Sequence, residues 1–197
     1  MNSTTIIDCV NKVSICGTIV RKFNGENWLG IVIATSTKEG TSNFPTVFWF
    51  DDMAKEVDAK YTIGSRVEVN GSLRTSKEHP DTSIVGEFIA EMTSWVEAKF
   101  DSSKEYKPDH NEVLLKGSFV RGHSHTPEIS NITVRVEIDG YTYFPEIACF
   151  NSYARKASTL AEDDIICIVA RIQTRKKETA NGKKYYQTVV CCSMKVN

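Results

Sequence analysis

No stretch of this 197-residue chain holds the ~20 consecutive apolar residues a membrane-spanning helix requires. The opening MNSTTIIDCVNK lacks the basic start and apolar core of a signal peptide, so a cytoplasmic setting is expected. Six cysteines occur (Cys9, Cys16, Cys149, Cys167, Cys191, Cys192), but no C-x-x-C pair. Several sit in apolar runs, where a free thiol behaves as a small hydrophobe, so a reduced structural role is expected. Histidine is scarce too: His123 and His125 form a lone H-x-H, and His79 and His110 stand apart. This set supplies no zinc spacing, and no metal or cofactor is expected. Phosphate-cradling glycine loops and nucleophile elbows are also missing. The acidic pairs Asp51-Asp52 and Asp163-Asp164 stand where helix or strand starts are expected, and capping accounts for them. An enzyme is therefore not expected.

Charge is equally uninformative as a total. The net value is -1. Residues 1–100 hold 10 Lys/Arg against 13 Asp/Glu, and residues 101–197 hold 14 against 12. Local clustering has to carry any electrostatic reading.

What the chain does contain is an internal repeat. NKVSICGTIVR (11–21) lies against NEVLLKGSFVR (111–121) with five of eleven positions identical, at an offset of 100. At the same offset NFPTVFWFDDMAK (43–55) lies against YFPEIACFNSYAR (143–155), and VEVNGSLRT (67–75) matches ICIVARIQT (166–174) at 99. Shared order at near-constant offset indicates a duplication. The expected domains are 1–98 and 111–197, joined by a polar linker over 99–110.

Each copy shows one order of elements. Strands are expected at 12–22, 28–36, 44–50, 66–74 and 84–92, and again at 112–121, 131–138, 143–150, 164–174 and 185–196. A short amphipathic helix follows the third strand, with Met53, Ala54 and Val57 on the buried side in copy one. In copy two Tyr153, Ala154, Ala157 and Leu160 take that side. Asp51 and Asn151 suit the helix starts. The fold class is all-β: two tandem five-stranded OB-fold barrels, each with a short helix between strands 3 and 4. Parity along the third strand separates Phe44, Phe48 and Phe50 from Val47 and Trp49. The small apolar residues of copy two (Pro145, Ile147, Cys149) favour the second set as core, which leaves Phe50 and Phe150 facing out. The glycine inside KYTIGSRVEVNGSLRTSK, Gly71, reads as a bend in a coiled strand, yet copy two holds Ala170 there.

These segments resemble the bacterial and phage-type single-stranded DNA-binding proteins. NKVSICGTIV is similar to that family's opening strand, GIVIATST to its second, and the G-x-x-V-x-V-x-G-x-L-x-T pattern of Gly64–Thr75 is the most specific match. The resemblance implies stacking of bases at Phe44 and Phe144, at Phe50 and Phe150, and at Tyr186 after the basic hairpin. Two tryptophan positions of the family are lost, near Glu39 and Glu78 in copy one and Lys177 in copy two. Binding a single strand requires aromatic faces for bases and cations for phosphates. Trp28 is expected partly exposed beside the groove, and Trp95 capping the first barrel. The run RIQTRKKETANGKKYY supplies Arg171, Arg175, Lys176, Lys177, Lys183 and Lys184 against Glu178 alone. Arg74 and Lys77 lead toward the equivalent hairpin of copy one, and Arg21, with Lys22 beside it, recurs as Arg121.

The function expected is binding of single-stranded DNA without sequence preference, with RNA an open alternative. A homodimer would complete the family's four barrels. The family's acidic C-terminal tail has no counterpart here, so recruitment of partners by that route is not expected. A replicon of a phage or mobile element, in bacterial or infected-host cytoplasm, suits such a form. The alternative is an OB-fold adaptor that binds protein partners.

Overall fold

The computed structural model describes residues 8–36, 40–75, 81–92, 96–97, 104–105, 108–179 and 182–197. Copy one contributes β1 (Val10–Asn24), β2 (Trp28–Ser36), β3 (Ser42–Asn43), β4 (Thr46–Phe50), α1 (Asp51–Lys60), β5 (Arg66–Arg74) and β6 (Ser83–Glu91). A small two-stranded pairing, β7 (Val96–Glu97) with β8 (Lys104–Glu105), lies between the copies. Strand β8 falls inside the segment read as a linker, while β7 lies just before it, within residues 1–98. Copy two contributes β9 (His110–Thr126), β10 (Ile129–Ile138), β11 (Tyr141–Tyr143), β12 (Glu146–Phe150), α2 (Ser152–Ala157), β13 (Ile165–Thr179) and β14 (Gly182–Val196).

The pairings of copy one run in a ring. Strand β1 pairs antiparallel with β2, β2 with β4, β6 with β5, and β5 with β1, while β4 and β6 run parallel. Copy two repeats the ring through β9, β10, β12, β14 and β13, again with one parallel contact, β12 to β14. This is the expected all-β order, with one short helix after the third main strand of each copy. Period-two burial produces it: Val67, Val69 and Leu73 of β5 are buried, and Glu68 and Arg74 are not. Burying each such aliphatic side chain contributes ~1.5–3 kcal/mol, which outweighs the modest preference of any single strand pairing. The buried residues of both copies form one connected apolar cluster, with Trp49, Ile15, Ile132 and Ile147 among its fully buried members.

Two expectations about the helices need correction. Met53 is exposed, so α1 buries Ala54 and Val57 only. Neither Asp51 nor Asn151 caps its helix through its side chain. Both instead take a positive φ of 53°. Aspartate and asparagine tolerate that region better than other side chains. Their backbone N–H groups donate to Asn27 and Glu128 carbonyls, at 2.9 and 2.8 Å, and turn each strand into its helix. Helix α2 has six residues, so Leu160 packs against the core from beyond its end.

Gly71 sits at a register irregularity between β5 and β6, where a Cβ would overlap the carbonyl oxygen of Val85. Strand β13 carries the same irregularity between Val169 and Ala170. The bend is therefore retained while the need for glycine is not. All six cysteines are free, with Cys16, Cys149 and Cys191 buried. A hydrogen bond with Cys149, together with burial, pushes the Cys191 thiol far up, and burial also raises Cys192.

Candidate nucleic-acid interface

Alternation along the third strand decides what faces outward. Val47 and Trp49 are wholly buried, as are Ile147 and Cys149. Phe44 is 40% exposed, Phe50 48% and Phe144 45%, while Phe150 is half-buried. The outward parity therefore holds for the phenylalanines, and Trp49 takes the core.

Each of these strands is gripped by the other copy. The Phe44 N–H donates to Thr174 Oγ1 of β13 at 2.9 Å. The Phe144 N–H donates to Thr75 Oγ1, just past β5, at the same 2.9 Å. Two residues on, the Thr46 N–H donates to Gln187 Oε1 at 3.0 Å and the Glu146 N–H to Thr82 Oγ1 at 3.1 Å. Each exposed phenylalanine thus stands at the root of the opposite copy's hairpin. The candidate surface is composite, built from both repeats.

The hairpin of copy two is paired as far as Thr179 opposite Gly182. Arg175 pairs with Tyr186, and its guanidinium lies over the Phe150 ring, 5.9 Å from the centroid. Tyr185 and Tyr186 are exposed and line a groove of about 380 Å³ with Thr82 and Glu146. The side chains of Lys176, Lys177, Lys183 and Lys184, and residues Lys77, Glu39, Glu78 and Trp95 altogether, lie outside the described residues.

Copy one has its own aromatic patch. Trp28, exposed, pairs across strands with Phe50 and packs against Phe23 and Phe48, with ring centroids 5.7 and 6.0 Å apart. The Arg21 guanidinium lies 5.5 Å from the Phe23 centroid. Such contacts hold a cation beside a stacking face. Neighbouring Lys22 goes elsewhere: its ammonium donates to the carbonyls of Asp58 and Tyr61, both at 2.7 Å, and pairs with the Asp58 carboxylate. It serves the C-terminal end of α1, where a cation complements the helix dipole. Arg121 is exposed on β9 beside a register irregularity in its pairing with β10, mirroring the one beside Arg21 in β1. Arg74 bonds to Ser72 and Glu87 and lies over Tyr143, 5.8 Å from the centroid.

Tyr141, Tyr143 and Tyr185 are exposed or half-exposed aromatics that the repeat pattern does not single out. Their signals were local: Tyr185 follows the lysine pair, and Tyr141 follows an Asp-Gly turn dipeptide in a Y-T-Y alternation. His123 and His125 pack edge to face, centroids 4.6 Å apart. Among the described residues no three or more His, Cys, Asp or Glu side chains gather as metal ligands.

Neither a protein-family model nor a curated protein sequence matches the chain. Solved structures do. A deletion mutant of the single-stranded DNA-binding protein from Thermus aquaticus superposes with a TM-score of 0.66 at 18% identity, covering 96% of this chain and 95% of that one. The wild-type protein from Thermus aquaticus gives 0.65 at 17%, covering 96% and 93%. Over nearly its whole length, the chain shares its fold with the single-stranded DNA-binding protein of Thermus aquaticus.

Proposed function

We propose that this protein binds single-stranded DNA without sequence preference, by stacking bases on exposed aromatics and holding phosphates with the adjoining arginines and hairpin lysines. The observation that carries the reading is the reciprocal placement of Phe44 and Phe144, each outward-facing at the root of the other repeat's hairpin. Arg175 over Phe150 and Arg21 over Phe23 add cations beside aromatic faces. Aromatic platforms beside cationic grooves accept any base, because every base has a π-face. The OB-type ring of strands, shared with the Thermus aquaticus protein, supports the same reading.

The repeats act as two domains, 1–98 and 111–197, and the protein protects single strands in replication or recombination of a phage or mobile element. It does so as a homodimer. Leu114 and Val169 are exposed cross-strand neighbours on the outer face of β9 and β13, and they offer an apolar patch for a second copy. Multivalent sites then offset weak single ones.

The deciding measurement is a gel shift with poly-dT, poly-U and duplex DNA across a salt series. Preference for poly-dT over duplex, weakening steeply with salt, is expected. Equal or absent binding at low salt sinks the reading and favours the protein-adaptor alternative. Sedimentation at several concentrations tests the dimer.

A further inference from the structure

One aromatic feature breaks the repeat. Strand β11 follows a two-residue turn, Asp139-Gly140, in which both residues have positive φ, 52° and 78°. That turn type matches the twist of a tight hairpin and sets Tyr141 and Tyr143 on the same side of β11. Their rings stack, 24° from parallel with centroids 6.4 Å apart. Tyr141 is 66% exposed, so the outer face of the pair is open to solvent. From the other copy, Arg74 lies over Tyr143. Copy one holds Thr41 and Asn43 at the matching places, and Asn43 is buried, its Oδ1 accepting from the Thr174 N–H.

We propose that Tyr141, stacked on Tyr143 and backed by Arg74, is an additional nucleobase-stacking subsite, present once per chain at the junction of the repeats. The proposal rests on the single-strand reading above. The platform stands at the edge of a groove lined also by Asp8, Lys12, Glu87 and Asp139. Its three carboxylates outnumber the cations Lys12 and Arg74 of the same lining, which disfavours a phosphate and leaves the opening suited to a base. Glu87 is already engaged by the Ser72 hydroxyl at 2.7 Å and by Arg74. The backbone of the bound strand passes outside, toward Phe144, whose N–H is tied to Thr75 beside Arg74. A base stacked on an open ring face needs no particular edge, so the subsite adds length rather than sequence preference.

The experiment compares binding of a fluorescent oligo-dT by the wild-type chain, Tyr141→Ala, Tyr141→Phe and, as benchmark, Phe144→Ala. Since Tyr141 is mostly solvated, its removal leaves the core intact. Loss of one stacked base weakens binding by ~5- to 150-fold. Tyr141→Ala is expected at the low end of that range, with Tyr141→Phe close to wild type. If Tyr141→Ala binds like wild type while Phe144→Ala is weakened, the subsite is refuted and the broader reading stands. If Tyr141→Phe is as weak as Tyr141→Ala, the hydroxyl rather than the ring face acts, and stacking is refuted. If the wild-type chain does not prefer the oligonucleotide to duplex DNA, both proposals fall together.

Discussion

Val13 pairs with Val113, the residue that holds its own place in the second repeat. The antiparallel ladder from Val10 opposite Lys116 to Cys16 opposite His110 is centred on that pair. A local two-fold axis therefore passes between β1 and β9, and several contacts beside it come twice. Asn11 and Asn111 illustrate this. Each spans to the fourth main strand of its own copy through both ends of its amide. Asn11 donates to the Leu73 carbonyl at 2.7 Å and accepts from the Leu73 N–H at 2.9 Å. Asn111 does the same with Ile172, at the same distances.

Those amides stand in for backbone pairing where β1 and β9 turn toward each other. Replacing Asn11 with alanine strands the Leu73 N–H and carbonyl in a buried place, at a cost of ~1–3 kcal/mol. Asn111→Ala costs less, since Asn111 is only half-buried. Urea unfolding followed by tryptophan fluorescence, to which the buried Trp49 contributes, checks both. Unchanged midpoints would show that the amides carry no weight.

Gly71 and Ala170 give a second, asymmetric comparison. Gly71→Ala is expected to destabilise by ~1–3 kcal/mol, because the new methyl meets the fixed Val85 carbonyl. Ala170→Gly is expected to cost only ~0.5–1 kcal/mol of chain entropy. Thermal melts of the two variants decide it, and equal losses would refute the steric account.

Phe44→Ala and Phe144→Ala should each weaken binding of oligo-dT, by ~1–3 kcal/mol if each holds one base. Because Thr174 and Thr75 fix the backbone of those strands, Thr174→Val is expected to weaken binding less, by misplacing Phe44 without removing it. Fluorescence titration at fixed salt measures all three. A Phe44→Ala chain that binds as wild type does would take the third strand out of the interface.

Salt dependence isolates the hairpin. Changing Lys176, Lys177, Lys183 and Lys184 together to glutamine should lower affinity and flatten the plot of log K against log salt. Each lost phosphate contact reduces the slope by ~0.7 for a single strand. An unchanged slope would mean those lysines are solvated bystanders.

The duplication, the strand order and the outward set on the third strand were all readable along the chain. They follow from local alternation: Val47 and Trp49 against Phe44 and Phe50 is a matter of parity. Helix starts were read less well. Asp51 and Asn151 look like side-chain caps, but the corner they form requires positive φ, which depends on where the preceding strand is anchored. Lys22 and Arg21 are neighbours in sequence, yet one serves the end of α1 and the other lies over Phe23. No local pattern distinguishes them, because the difference arises from where α1, packed on β2 and β4, brings its C-terminal end.

Alternation and repetition thus determined two similar rings of strands, since burial of alternate side chains is a property of neighbouring residues. The tertiary structure alone decided that Phe44 meets Thr174, 130 residues away, and that Arg74 of one repeat covers Tyr143 of the other. Those neighbours exist because β1 and β9 join about the Val13–Val113 pair, and that single long-range pairing swings each hairpin root onto the opposite repeat's third strand.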